Sequence, residues 1–251
     1  MILIKLGGSV LTNKDRPYSF KTNTLERLTD EIIRSDVEDL ILVHGGGSFG
    51  HPGAEKYSLN SENPVDIEEG TAKVQRDMRI MNNKVLEIMH ERGIWAISIP
   101  GGLITTYKDG KLIDFNEEIF ERYLSIGTVP ISFGDVAFDE DRKVTICSGD
   151  DIMLSLADKA DKSIFVANVD GVFKNGELVE TFTKEMFPLE PEDFDSEGTS
   201  IDVTGGMNKK VKKMLEMSKH CPTYVVNGSE KERLYKLLNN ESTTCTEVKY
   251  D

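Results

Sequence analysis

LILVHGGGSFGH, residues 40–51, runs four aliphatic residues into a histidine, then sets four glycines before a second histidine. Glycine tolerates positive φ and lets another backbone come close. A glycine cluster at the end of an apolar run therefore marks a tight turn between strand and helix, or an exposed row of N–H donors suited to an anion. This segment alone leaves both open. His44, inside the apolar run, reads as a hydrogen-bonded core histidine, whereas His51, beyond the glycines, is placed to donate to a phosphate oxygen.

Outward from that segment, strands and helices alternate along the chain. ILIKL (2–6), EDLILVH (38–44), IWAISIP (94–100), TVPISF (128–133), SIFVANV (163–169), TYVV (223–226) and a closing stretch near 243–248 read as strands. Between them the periodicity predicts helices over 22–35, with Thr22 as cap, and over 70–91, 150–160, 205–219 and 229–239. VAFDEDRKVTI (136–146) reads as a hairpin turning at its charged centre, and FPLEPEDFDSEGTS (187–200) as a mobile surface loop. Such alternation predicts an α/β fold with a mostly parallel sheet covered on both faces, and ligands at the carboxyl ends of its strands. A soft boundary near residue 146 divides the chain into halves 1–146 and 147–251.

Composition narrows the function classes. With 251 residues, 38% apolar and 29% charged, the chain has the profile of a soluble globular protein with a sizeable core. No apolar run nears the ~18 residues of a membrane span, and MILIKLGG enters a strand without signal-peptide sections, so a cytoplasmic protein is expected. A net charge of −14 argues against nucleic acid as a partner. Cys147, Cys221 and Cys245 are widely spaced and form no CxxC pair, which suggests neither a disulfide framework nor a zinc site. An anion site in so acidic a chain must rest on a few local lysines.

Three further segments supply candidates. KLGGSVLTNK (5–14) joins Lys5, Gly7, Gly8, Ser9 and Lys14 in a spacing that fits neither the P-loop nor the dinucleotide fingerprint. CSGDD (147–151) opens a helix with two aspartates beside Gly149; one can cap the helix and the other orient cations. DVTGGMNKK (202–210) again feeds glycines into a helix N-terminus, with Lys209 and Lys210 one turn inside, a setting suited to phosphate.

Taken together, KLGGS, GGG after the second strand, GDD, NVDGVF (168–173) and TGGMNKK resemble the amino-acid kinase superfamily over nearly the whole chain. Within it, GGGSFGH with its terminal histidine is similar to the isopentenyl phosphate kinases and the related fosfomycin kinases. The resemblance implies an open αβα sandwich whose N-terminal half holds a phosphate acceptor and dimerises, and whose C-terminal half holds ATP with Mg2+. It implies that Lys5, Gly7, Gly8 and Ser9 contact ATP phosphates, that Lys14 stabilises the transferring group, and that Gly47 contacts the nucleotide. It assigns Gly46, Gly50, His51 and Gly149 to the acceptor, Asp150 to orienting the lysines, Gly206 and Lys210 to the β and γ phosphates, and Asp170 with Asn175 to the nucleoside. No protein ligand to the metal is implied.

The chemistry accounts for one absence. A phosphate monoester with a second pKa of about 6 is already mostly dianionic at neutral pH, so transfer to it needs no catalytic base. The harder task is to bring two anions together, which calls for lysines, a histidine and N–H donors. On the helix over 70–91, Val74, Met78, Met81, Val85 and Ile88 share one apolar face. That face is core packing for most of its length, and Met78 or Met81 is expected to line a pocket for a branched five-carbon tail. Phosphorylation of another small phosphate or phosphonate such as fosfomycin, and a non-catalytic nucleotide-binding storage or regulatory role, stand as alternatives.

Overall fold

The computed structural model describes residues 1–190 and 205–251, with side chains described over 1–190 and 208–251. Most of the predicted strands fall where their apolar runs place them, shortened at the ends. The chain begins β1 (Ile2–Leu6), α1 (Gly8–Leu11), α2 (Thr22–Arg34), β2 (Leu40–His44), α3 (Gly47–Lys56) and α4 (Ile67–Glu91). It continues through β3 (Ala96–Pro100), α5 (Gly101–Ile104), β4 (Thr105–Lys108), β5 (Lys111–Phe115), α6 (Glu118–Leu124), β6 (Val129–Phe133), β7 (Asp135–Asp139) and β8 (Lys143–Cys147). The second half holds α7 (Gly149–Ser155), β9 (Lys162–Ala167), β10 (Phe173–Lys174), β11 (Glu177–Leu178), β12 (Thr181–Thr183), α8 (Gly205–Met217), β13 (Thr223–Asn227), α9 (Arg233–Leu238) and β14 (Cys245–Lys249).

An eight-stranded sheet ordered β12-β14-β13-β9-β1-β2-β6-β3 forms the centre. It is parallel from β13 through β3, while β14 runs antiparallel to β13 and carries β12 parallel to itself. Alternation along each strand sends successive residues to opposite faces. Ile4, Leu42 and Ile164 pack with Leu25 and Leu28 of α2, Val85 of α4 and Leu237 of α9. Leu3, Ile41 and Phe165 pack with Phe120 of α6, Ile152 of α7 and Val211 and Leu215 of α8. Two apolar layers thus clothe one sheet, the open αβα sandwich expected.

Local details differ from expectation for identifiable reasons. Thr22 is the first helical residue and caps nothing; Lys21 holds the N-cap position without a side-chain bond. The helix expected over 229–239 starts only at Arg233, because Glu232 sits at φ 65° and its N–H, with that of Tyr235, is taken by the buried Glu31 carboxylate. Residues 150–160 form α7 and then a separate 3-10 turn, Ala157–Lys159. The hairpin β7–β8 belongs to a second, four-stranded sheet, β5-β4-β7-β8. Its β4–β5 hairpin turns at Asp109–Gly110, both at positive φ, a turn signal present in KDGK. Of the loop expected over 187–200, residues beyond Glu190 lie outside the described part, as do Asp202 to Thr204. Cys147 and Cys221 are buried, and all three cysteines are free.

Candidate active site

The glycine loops meet at the carboxyl ends of β1, β2 and β9. Gly7 N–H donates to Val166 O at 2.9 Å and Gly45 N–H to Leu6 O at 3.0 Å, tying both loops to the central strands. A Cβ on Gly8 would sit 2.5 Å from the Gly47 nitrogen, so the two loops lie backbone against backbone. Gly47, at φ +46°, leaves room for Thr12, whose Oγ1 donates to Gly8 O at 2.7 Å and accepts from Ser48 N–H at 3.0 Å. Neither cluster is a simple turn. Gly8 opens α1 and Gly47 opens α3, and α3 carries His51 in its second turn.

Lys5, the penultimate residue of β1, is buried and forms an ion pair with Asp150 of α7. Burial drives the lysine's pKa down, and Asp150 opposes that shift. Burial also pushes the Asp150 carboxyl upward, but Lys5, then Lys210 and Lys213, outweigh it and hold it below the usual carboxylate range. Gly149 permits the approach, since a Cβ there would stand 3.4 Å from Lys5 Cε and 3.1 Å from Val43 Cγ1. Ser148 caps α7 in a reciprocal box with Asp151, so the capping aspartate is Asp151 and the cation-orienting one Asp150. Lys210 and Lys209 are both exposed on α8; Lys210, like Lys213, acts electrostatically on the Lys5–Asp150 pair. Gly206 lies in the first turn of the same helix.

Ser9 Oγ donates to Asn168 Oδ1 at 3.0 Å, joining the first loop to the end of β9, and Lys21 Nζ donates to Ser9 O at 2.9 Å. Asp170, further along that connection, accepts from Asn227 at 2.8 Å and Arg233 at 2.6 Å, which hold its carboxyl below the ordinary range. Asn175 occupies the turn of the β10–β11 hairpin at φ 53°. Lys14 is exposed in the loop after α1, and no contact among the described residues joins it to the Lys5–Asp150 pair.

On the other side of the loops, His51 is exposed on α3 with its Cδ2 3.4 Å from where a Cβ on Gly46 would stand. Met78 Sδ is 3.3 Å from that same point and 2.7 Å from the equivalent point on Gly50. Met78 belongs to a small apolar cluster with Tyr57, Leu59, Val74, Phe133 and Val136, edged by Val144 and Ile146. Met81 is not brought here. It is fully buried in the α2-side layer with Leu25, Leu28 and Phe49, because nearly one turn further along α4 the same stripe meets α2 and the sheet and no longer the glycine segment. His44 is the core histidine expected, stacked on Phe133 at 5.0 Å, its Nδ1–H on Gly45 O at 3.1 Å, and its pKa lowered to about 4 by burial.

Sequence reasoning missed Lys213, Thr12, Asn227 and Arg233. Lys213 Nζ reaches Asp151 Oδ1 at 2.6 Å and Ser148 Oγ at 3.0 Å. Its one available signal was its spacing three residues beyond Lys210, on the same helix face.

A parallel sandwich with paired glycine loops and a lysine–aspartate pair at its strand ends is a phosphate-handling site of the kinase class. The chain belongs to the amino acid kinase family, whose model matches residues 1–227. Among its relatives, the isopentenyl phosphate kinase of Methanocaldococcus jannaschii is 35% identical over 96% of each chain. That of Thermoplasma acidophilum is 33% identical over 93% of this chain and 94% of the relative. A crystal structure of an isopentenyl phosphate kinase covers 99% of both chains at 27% identity with a TM-score of 0.85.

Proposed function

We propose that the protein is an ATP-dependent isopentenyl phosphate kinase, forming isopentenyl diphosphate as an isoprenoid precursor. The observation that supports this reading is that the exposed His51 ring and Met78 Sδ both lie against Gly46, just after β2, whose neighbour β1 carries the Lys5–Asp150 pair. A phosphate head on His51 would lie beside the strand ends that carry Lys5, and a hydrocarbon tail would pack against the buried cluster of Val74, Met78, Phe133 and Val136. In the reaction a phosphate oxygen of the acceptor forms a bond to the γ-phosphorus of ATP as the bond from that phosphorus to the β–γ bridging oxygen breaks, and ADP leaves. No proton need move.

In this reading Lys5, Gly7, Gly8, Ser9 and Gly47 surround the nucleotide phosphates, with Gly206 and Lys210 at the β and γ groups. Lys14 stabilises the transferring group, Gly46, Gly50, His51 and Gly149 hold the acceptor, and Asp170 and Asn175 border the nucleoside. Asp150 keeps Lys5 charged and aimed. Both carboxylates at the start of α7 are engaged by lysines, so Mg2+ would be held by phosphate oxygens, where it would offset their charge. Residues 147–251 would carry most nucleotide contacts, and residues 1–146 the acceptor and a homodimer interface, within a cytoplasmic enzyme. Every large hydrophobic side chain exposed among the described residues, including Ile80, Trp95, Leu103, Ile126 and Phe138, lies in that first half.

The test offers Mg-ATP with isopentenyl phosphate, dimethylallyl phosphate, fosfomycin, acetylglutamate and UMP in parallel. The five-carbon phosphates should have the highest kcat/KM. Preference for fosfomycin would replace this reading with a phosphonate kinase, and ATP binding without transfer to any acceptor would make the protein a nucleotide-binding module.

A further inference from the structure

Two adjacent carboxylates at the start of α7 meet Lys5 of β1 and two lysines from the middle of α8. Asp150 is paired with Lys5, and Asp151 with Lys213. Lys210 makes no ion pair among the described residues, although it acts electrostatically on Asp150 and Lys5. The capping box adds detail. Asp151 Oδ2 accepts from Ser148 Oγ at 2.7 Å and from Tyr107 Oη at 3.3 Å, and its Oδ1 is left to Lys213 at 2.6 Å. Lys213 therefore satisfies the remaining face of a carboxylate that would otherwise stand unpaired beside Asp150, one turn along α8 from Lys210.

We infer that Lys213 is a positioning residue that allocates charge: by neutralising Asp151 it keeps that carboxylate from drawing in Lys210, and so leaves Lys210 as the surplus cation for phosphoryl oxygens. The inference rests on the phosphoryl-transfer reading above. Without Lys213 the cluster is neutral, two carboxylates against Lys5 and Lys210, and Lys210 is pulled one turn toward Asp151. A lost cation at the transferring group weakens transition-state stabilisation more than acceptor binding.

The experiment compares Lys213→Met, Lys213→Arg and the double variant Lys213→Met/Asp151→Asn with wild type, measuring kcat and KM for isopentenyl phosphate at saturating Mg-ATP, with Tm as a check on folding. Lys213→Met should lose about tenfold in kcat with KM changed less than about twofold, whereas Lys213→Arg should stay within about threefold of wild type. The double variant decides the matter. Asparagine keeps an oxygen for the Ser148 cap but carries no charge, so kcat should recover to within about threefold of wild type. A double variant as slow as Lys213→Met would mean that Lys213 only ties the helices together, and would overturn the inference; so would a Lys213→Met enzyme with wild-type kcat. If the wild type itself transfers nothing to isopentenyl phosphate, the functional reading fails separately, and the same rank order is then sought in Mg-ATP affinity, where its absence overturns the inference.

Discussion

His51 and His44 stand seven residues apart in one segment and have opposite chemistry, because one ring is exposed on α3 and the other is stacked inside the sheet. If His51 donates to the acceptor phosphate, His51→Ala removes a charge-assisted bond of about 1.5–3 kcal/mol, or about ten- to a hundredfold in kcat/KM for the acceptor. Mg-ATP affinity should be nearly unchanged, and steady-state kinetics with nucleotide titration measures both. Equal acceptor kcat/KM in a folded variant would remove His51 from the mechanism. For His44 the readout is stability against pH. Burial lowers its pKa from 6.5 to about 4 in the folded chain, so on acidification the unfolded chain takes up a proton that the folded chain refuses. The sign follows. Stability is full above the unfolded pKa and falls as pH drops from about 6.5 toward about 4, by up to about 3 kcal/mol from this one group. Urea titrations of His44→Phe, which preserves stacking on Phe133, should show a shallower decline across that window; an equally steep one would assign the pH dependence elsewhere.

At the scale of elements, α4 has one apolar stripe and two environments. Met78 touches the start of α3 at Gly46 and Gly50 beside His51, while Met81 is locked between α2 and the sheet. Met78→Ala should therefore raise the use of a ten-carbon phosphate relative to the five-carbon one. Met81→Ala should leave that ratio alone and cost about 2–5 kcal/mol in stability. A ratio shifted by Met81→Ala but not by Met78→Ala would place the tail further along the same stripe, toward α2. This division was not legible in the sequence, where period 3.6 says which residues share a face and not what that face meets. The buried strands were legible, since β1, β2, β9 and β13 are short aliphatic runs set between helices. The short helices α1 and α3 were not. Glycine is a poor helix former, and what starts both helices is tertiary: the Gly8–Gly47 contact and the Thr12 hydroxyl bridging the loops. Asp150 was readable as an aspartate free to orient a cation, and the resemblance pointed it at the lysines; that Lys5 is its direct partner follows from α7 packing beside β1. Lys213 shows the same limit, because its role depends on Asp151 being taken as the helix cap.

On the scale of the whole molecule, one sheet and one apolar layer run through both halves of the chain, which are therefore expected to unfold together. β1, from the first half, lies between β2 and β9 and pairs with both along its length. One continuous apolar layer mixes Leu3, Ile41 and Val43 with Phe165, Phe182, Val211 and Leu215. Separating the halves would strip the central strand of a partner and open that layer to water, a cost far above the few kcal/mol that permit domains to unfold separately. Heating should therefore give a single calorimetric transition. In the proposed reading a nucleotide held at the strand ends would touch elements of both halves, so it should move the whole transition and not a part of it. At a Mg-ATP concentration of 100 Kd, linkage adds about 2.7 kcal/mol, and for a chain of this size that raises Tm by about 5–10 °C. Differential scanning calorimetry with and without Mg-ATP reads this directly. Two resolved transitions, only one of them moved by the nucleotide, would show that the boundary near residue 146 separates units that unfold on their own despite the shared sheet.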